Sequence, residues 1–141
     1  MEFKRILVAV NGSKMDGDIV QLASNLAKKH KGKVFVTYVI QLERTLPLDA
    51  EVDSAVNVAE QTLDSAERCA AECDYEVNTD LLQARAVGPA LVNEAIERGV
   101  DLILMGMSYK TKFGEFSLGH IVPHVLKNAP CHVMLLREPS D

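Results

Sequence analysis

Tryptophan is absent from this 141-residue chain, tyrosine and phenylalanine make up only 5% of it, and cysteine occurs three times. Three cysteines cannot build the disulfide framework of a small secreted domain. Cys69 and Cys73 stand four residues apart on a predicted helix, so a reactive pair or half of a metal site stays open. The simpler interpretation is that they are small apolar fillers between a helix and a sheet.

A basic surface and a long apolar segment are missing as well. The chain has 15 Lys and Arg against 20 Asp and Glu, a net charge of −5, which argues against a broad nucleic-acid surface. Its apolar runs all fall short of the length of a transmembrane helix, and Met1 leads into a charged residue and then a strand. We therefore expect no membrane insertion, no secretory signal and a cytoplasmic location.

The composition is that of an ordinary globular protein. Hydrophobic residues make up 48% of the chain and charged residues 25%, which excludes a disordered polypeptide. A chain of this length can bury a sizeable core, and it contains neither internal repeats nor a linker. We expect one domain covering residues 1–141.

Strand-length apolar runs alternate with amphipathic helices along the chain. Runs such as RILVAV are continuously apolar after the opening Arg5, which is typical of parallel strands covered on both faces. Asp16 is predicted to cap the first helix and Gly32 to stop it. This alternation implies a doubly wound parallel sheet with right-handed crossovers. The predicted strands are Arg5–Val10, Val34–Ile40, Tyr75–Leu82, Asp101–Gly106 and Cys131–Leu136, and further helices are predicted over 52–73 and 88–99.

The stretch from Asp101 to Leu136 organises the chain. Its first strand ends at Gly106, a polar loop follows, and Gly119 opens a short helix before the last strand. Free backbone N–H groups and the positive end of a helix dipole meet in such a loop. The arrangement therefore predicts a place that can hold a phosphate group.

Residues of this stretch resemble the signature of the universal stress protein family. That signature is a Gly, two residues, a Gly, nine residues, and a Gly followed by Ser or Thr. Gly106 and Gly119 match it, whereas Tyr109 replaces the second glycine and His120 the hydroxyl residue. The tail VLKNAPCHVMLL also resembles the family's ending. The opening ILVAVNGS resembles its first strand, with Asn11 where Asp is usual.

The resemblance implies an adenine nucleotide alpha hydrolase-like fold, an α/β open five-stranded parallel sheet in the order 3-2-1-4-5 with helices on both faces. It also implies a stress-response regulator that binds ATP or AMP, with Mg²⁺ as a candidate companion, in the crevice between strands 1 and 4. Such a protein would signal through an unknown partner, and it would form a homodimer through Cys131–Leu136. The candidate nucleotide-binding residues are Asn11, Val39, Gly106, Met107, Tyr109, Gly119, His120 and Ile121.

Several of these residues have a plainer alternative. Asn11 keeps the hydrogen bonding expected at a ribose but lacks the charge that helps hold Mg²⁺, and it could simply make the strand-ending turn. Val39 would lie against adenine or serve as a core residue. The two glycines would allow positive φ and close backbone approach at a ligand, or they could simply serve tight turns. Tyr109 could turn outward, stack on a base or fill the pocket.

No catalytic constellation is visible. The serines lack a G-x-S-x-G setting and no P-loop is present, so we expect no enzyme, although slow ATP hydrolysis stays open. A second hypothesis is a nucleotide-free dimeric interaction module with a degenerate site. A third is a small metal-binding or redox protein that uses the cysteines together with His120 and His124, whose spacing can chelate zinc.

Overall fold

Strands and helices alternate in the computed structural model, which describes residues 1–109, 111–112, 115–116 and 118–140. The strands are β1 (Arg5–Val10), β2 (Lys33–Gln41), β3 (Asn78–Ala84), β4 (Leu102–Met107), β5 (Thr111–Lys112), β6 (Glu115–Phe116) and β7 (His132–Arg137). The helices are α1 (Asp16–Lys29), α2 (Asp53–Ala71), α3 (Val87–Arg98) and α4 (Ile121–Asn128). Within the described ranges, no helix is both long and apolar enough to cross a membrane.

The main sheet has five parallel strands in the order β3-β2-β1-β4-β7. This confirms the predicted order 3-2-1-4-5, with β7 as the fifth strand. The polar loop before α4 also contains β5 and β6, which pair antiparallel with each other outside the main sheet. Strands of two residues are too short to leave a periodic signal, so the sequence indicated only a loop there.

β1 lies at the centre of the sheet and is buried on both faces. Val8 contributes to the core formed with α1 and α2, whereas Leu7 contributes to the core on the side of α3 and α4. Both side chains are fully buried. Because successive residues of a strand point to opposite faces, a continuous apolar run is what a two-sided core requires.

Neither residue predicted to bound α1 plays the expected role, because the helix has Met15 as its N-cap and His30 as its C-cap. Asp16 begins α1 without capping it. Its carboxylate accepts hydrogen bonds from the backbone N–H groups of Gly12 at 2.7 Å and Asn11 at 3.4 Å, so it stabilises the turn after β1.

At the C-terminal end of α1 the residue in the left-handed region is Lys31, with φ of 53°, and not Gly32. A Cβ on Gly32 would lie 2.8 Å from the carbonyl oxygen of Lys4, so glycine is needed there for close approach of two backbones.

The third strand begins later than the pattern indicated. α2 ends at Ala71, Asp74 adopts a φ of 54°, and β3 starts at Asn78. Tyr75, predicted to open the strand, instead donates its hydroxyl to the carbonyl of Gly32. Its ring packs against the core formed with α1 and α2 and its hydroxyl bonds Gly32, which explains why a strand-like residue lies outside the strand.

Candidate functional site

A cavity of about 1020 Å³ opens at the carboxyl ends of β1 and β4. The strand order reverses between these two strands, which is where open α/β sheets place their ligands. β2, the start of α3 and the start of α4 complete the walls. The fold therefore forms a crevice where the sequence predicted one.

The structure brings all but one of the predicted binding residues to this cavity. Those that line it are Asn11, Val39, Gly106, Met107, Gly119, His120 and Ile121. They come from four separate segments of the chain, and Tyr109 is the exception. The two ends of the glycine-bounded loop and the end of β1 thus line one space.

Asn11 makes the turn that ends β1. Its Oδ1 accepts a hydrogen bond from the backbone N–H of Ser13 at 3.1 Å, and Gly12 takes a φ of 85°. Asp16 closes the same turn from the other side, and burial raises the pKa of its carboxyl group although the backbone N–H groups of Gly12 and Asn11 oppose the shift. Asn11 therefore makes the strand-ending turn, as the plainer alternative predicted. It also lines the cavity, where a ligand could contact it.

The two glycines of the signature serve different purposes. Gly119 has a φ of 69°, as expected, and lies just before α4. Gly106 does not adopt positive φ, which corrects the expectation for that residue. A Cβ at Gly106 would lie 3.0 Å from Cβ of Met15 and 3.2 Å from Cγ2 of Ile19, so glycine allows α1 to pack closely on β4.

Tyr109 turns away from the cavity. The guanidinium carbon of Arg137 lies 4.8 Å from the centre of the tyrosine ring, and the backbone N–H of Tyr109 donates to Oε1 of Glu138 at 2.7 Å. The other carboxylate oxygen of Glu138 is 2.9 Å from Nζ of Lys14. Lys14 and the Tyr109 N–H lower the pKa of this carboxyl group. Of the three alternatives for Tyr109, the outward position fits, and the ring does not plug the crevice.

The histidines do not assemble a metal site. His120 precedes the first residue of α4 and is exposed, and His124 lies one turn further along, where its carbonyl accepts a hydrogen bond from Asn128 at 2.9 Å. Among the residues that the structure describes, no group of three or more His, Cys, Asp and Glu side chains could hold a metal ion. The zinc hypothesis therefore gains no support from the geometry.

The cysteines are free thiols in the described structure. Cys69 packs partly buried against α1, and a Cβ on Gly17 would lie 3.4 Å from its sulfur. Burial raises the pKa of the Cys69 thiol, and Glu72 adds to the rise. A thiol that resists ionisation is a poor nucleophile, which favours the interpretation as an apolar filler.

Sequence reasoning missed two parts of the wall. The first is the start of α3, where Gly88 and Pro89 line the cavity. No local pattern predicts this, because it depends on where β3 and α3 lie in the fold. The second is Thr37, which is 1% exposed and whose hydroxyl has no hydrogen-bond partner in the described part of the chain. Thr37 stands two residues before Val39 on the same face of β2, a spacing that could have identified it.

The fold and the cavity at its switch point define an open, doubly wound α/β architecture with a crevice at the carboxyl ends of β1 and β4, and sequence comparison assigns the family. Residues 2–137 match the universal stress protein family, and the chain belongs to it. One relative is a universal stress protein from Methanocaldococcus jannaschii, 26% identical over 144 aligned positions that cover 98% of this chain and 84% of the relative.

Solved structures have the same fold. The universal stress protein from Archaeoglobus fulgidus superposes with a TM-score of 0.79 at 22% identity, covering 94% of this chain and 97% of that one. A universal stress protein structure from the same organism in complex with dAMP gives a TM-score of 0.74 at 21% identity, covering 96% of this chain and 98% of that one. At these identities the likeness shows a shared architecture and not shared contacts.

Proposed function

We propose that this protein is a regulator that binds an adenine nucleotide, ATP or AMP, in the cavity between β1 and β4 and signals stress or energy state through a partner. The observation that carries the proposal is the position of the cavity, at the switch point of the sheet and beside the residues that the glycine signature singled out. The dAMP complex of the Archaeoglobus fulgidus universal stress protein supports the same ligand class.

The inner wall of the cavity suits a purine base. Val39, Leu91, Met105 and Val122 line it and pack in the core on the side of α3 and α4. Ligand sites of about 300–1,000 Å³ are usually apolar with a few placed polar groups, and the cavity lies at the upper end of that range. The unpartnered hydroxyl of Thr37 is a polar group that a base nitrogen or a bound water could satisfy.

The outer wall suits the sugar and phosphate. Asn11 uses Oδ1 in its own turn, so its amide NH₂ is the group that would meet a ribose hydroxyl. The N-terminus of α4 follows Gly119 and His120 and supplies backbone N–H groups for a phosphate. With an amide at position 11 and Asp16 engaged in the turn, we expect Mg²⁺ to add little to affinity.

The binding proposal is tested by thermal unfolding and calorimetry with adenosine, AMP and ATP. Ligand at about 100 times its dissociation constant should stabilise the protein by roughly 2.7 kcal/mol, which raises the melting temperature by several degrees. Val39→Phe should abolish the shift, because the ring enters a cavity with room for it and occupies the wall proposed for the base.

The matched control is Val58→Phe, which adds the same ring at an exposed position on α2 away from the cavity. It should leave the ligand shift unchanged. No shift with any of the three ligands at millimolar concentration would overturn the nucleotide proposal. The nucleotide-free interaction module would then be the better account of the protein.

A homodimer through the last strand is the second part of the proposal. β7 forms one edge of the sheet, and an edge strand presents unpaired N–H and C=O groups that pairing with a second copy would satisfy. Half-buried apolar residues follow one another along it. These are Val133, Met134, Leu135 and Leu136.

Light scattering at tens of micromolar should give the mass of two chains. Met134→Lys should shift the mass to one chain, because a charge on the pairing edge opposes association while the lysine stem can still cover apolar surface. Gln83→Lys places the same charge on β3, the opposite edge, and should leave the dimer intact. A wild-type mass of one chain contradicts the prediction.

A further inference from the structure

The deep end of the cavity is a row of three residues on neighbouring strands. Thr37 on β2 and Met105 on β4 are both in register with Ala9 on β1, so their side chains point to the same face of the sheet. All three residues line the cavity. Two residues nearer the amino ends of the strands, Leu7 and Phe35 are buried in the core on that face. The row of Thr37, Ala9 and Met105 therefore forms the floor of the cavity.

Thr37 is the polar member of this row, and its hydroxyl is unpaired. The residue is 1% exposed, and Oγ1 has no hydrogen-bond partner among the residues that the structure describes. Asp80 is in register with Thr37 on β3, but its Oδ2 accepts a hydrogen bond from Arg98 at 2.7 Å. Neither the protein nor bulk water therefore satisfies this hydroxyl, and a buried polar group in that condition costs stability.

The space above the floor suits a flat ring. Ala9, in the middle of the row, carries only a methyl group. Two residues nearer the cavity mouth, Val39 lies on β2 and Asn11 follows the end of β1, and both line the cavity. Two residues of a strand rise about 6.6 Å, which is comparable with the long axis of a purine. A base that lies over Ala9, with its ribose at Asn11, therefore points its far edge towards Thr37.

The far edge of an adenine base carries the 6-amino group, which projects from the ring and donates hydrogen bonds. The hydroxyl oxygen of Thr37 has two lone pairs with which to accept one. Because its hydroxyl and methyl group share one carbon atom, rotation about the Cα–Cβ bond can turn Oγ1 towards a ligand. The backbone groups of the row are used in pairing the strands, so this hydroxyl is the polar group that the floor can offer.

We propose that Thr37 determines the base specificity of the cavity, its Oγ1 accepting a hydrogen bond from the 6-amino group of an adenine base. The inference rests on the proposed nucleotide-binding function and names the residue that recognises the base. The ligand-free fold leaves this hydroxyl unpaired, and the bound base pairs it. A purine without an amino group at that position fills the same space but leaves the hydroxyl as it was.

The test compares adenosine with purine riboside, the same nucleoside without the 6-amino group, by calorimetry. The wild-type protein should bind adenosine about fivefold to tenfold more tightly than purine riboside, which is the worth of one hydrogen bond. Thr37→Val keeps the shape of the side chain and removes the hydroxyl. It should abolish the preference by weakening adenosine binding, while binding of purine riboside changes by less than about twofold. Thr37→Ser keeps a hydroxyl and should keep the preference.

Thr79→Val is the matched control, because it removes a threonine hydroxyl from β3, where Thr79 donates to Oε1 of Glu67 on α2 at 3.3 Å. It should leave both dissociation constants unchanged. The melting temperature of the ligand-free protein is a second readout. Thr37→Val should raise it by about 2–4 °C, because the change removes an unpaired buried hydroxyl. A lower melting temperature would show that the hydroxyl is satisfied without a ligand, which contradicts the proposal.

The binding data separate the specificity from the function on which it rests. If adenosine binds and its preference over purine riboside is absent in the wild type or survives in Thr37→Val, the role of Thr37 is overturned and the nucleotide function stands. Equal weakening of both nucleosides in Thr37→Val also overturns it, because the residue then shapes the cavity without recognising the amino group. If neither nucleoside binds to any variant, the proposed function fails and the base specificity fails with it.

Discussion

Replacing Leu7 with Asp should leave the protein unfolded under conditions in which the wild type is folded. Leu7 is fully buried in the central strand, between β2 and β4, on the face covered by α3 and α4. An unpaired carboxylate in such a place costs several kcal/mol or more. Since the whole stability of a domain is roughly 5–15 kcal/mol, this single change is comparable with all of it.

Val8→Asp tests the other face and should have the same effect, because Val8 is buried against α1 and α2. Leu48→Asp is the control, since Leu48 is 55% exposed before α2 and should tolerate the same carboxylate. Circular dichroism and urea titration report the outcome. Cooperative unfolding of either β1 variant near the wild-type midpoint would mean that β1 is not the buried centre of the fold.

Replacing Arg98 with Met should cost about 2 kcal/mol of stability. The guanidinium donates to Oε1 of Glu94 at 2.8 Å and to Oδ2 of Asp80 at 2.7 Å, and it lies 5.0 Å from the ring centre of Phe35. The Glu94 side chain is only 8% exposed, so removing its partner leaves a buried carboxylate without compensation. Breaking a fully buried pair costs roughly 3–5 kcal/mol, and we expect less here because Arg98 is 38% exposed.

The double variant Arg98→Met with Glu94→Gln separates the charge from the packing. The methionine keeps apolar contact with Phe35, and the neutral glutamine removes the stranded charge, so the pair should recover at least half of the lost stability. The free energy of unfolding from urea titrations is the measurement. Equal losses in the single and double variants would show that the cost of Arg98→Met comes from packing and not from Glu94.

Elements of the fold follow directly from local chemistry. The apolar run ILVAV after Arg5 predicted a strand buried on both faces, and the structure confirms it, because a strand that is apolar at consecutive positions needs a core on each side. Gly99 was predicted to end α3 and does so with a φ of 60°. These features depend on residues that are close together in the sequence, so the sequence alone is enough to predict them.

Contacts between distant segments carry no such local signal. The role of Gly106 is set by Met15 and Ile19 on α1, and that of Gly32 by the backbone of Lys4. The carboxylate of Asp16 accepts hydrogen bonds from the N–H groups of Asn11 and Gly12, which the turn after β1 leaves to be satisfied. A pattern of residue types does not distinguish that role from a helix cap.

The candidate site likewise combines features that the sequence predicted with features that only the packed structure shows. The alternation of strands and helices predicted a parallel sheet whose strands carry their carboxyl ends to one edge, and the resemblance to the universal stress protein family predicted that the loops after strands 1 and 4 would meet there. The start of α3 and the carboxylate of Glu138 at the N–H of Tyr109 became visible only when α3 and β7 were packed around those loops. Residue types and spacing thus indicate the strands and their covered faces. The partner of each polar group depends on which segments the packed sheet brings together.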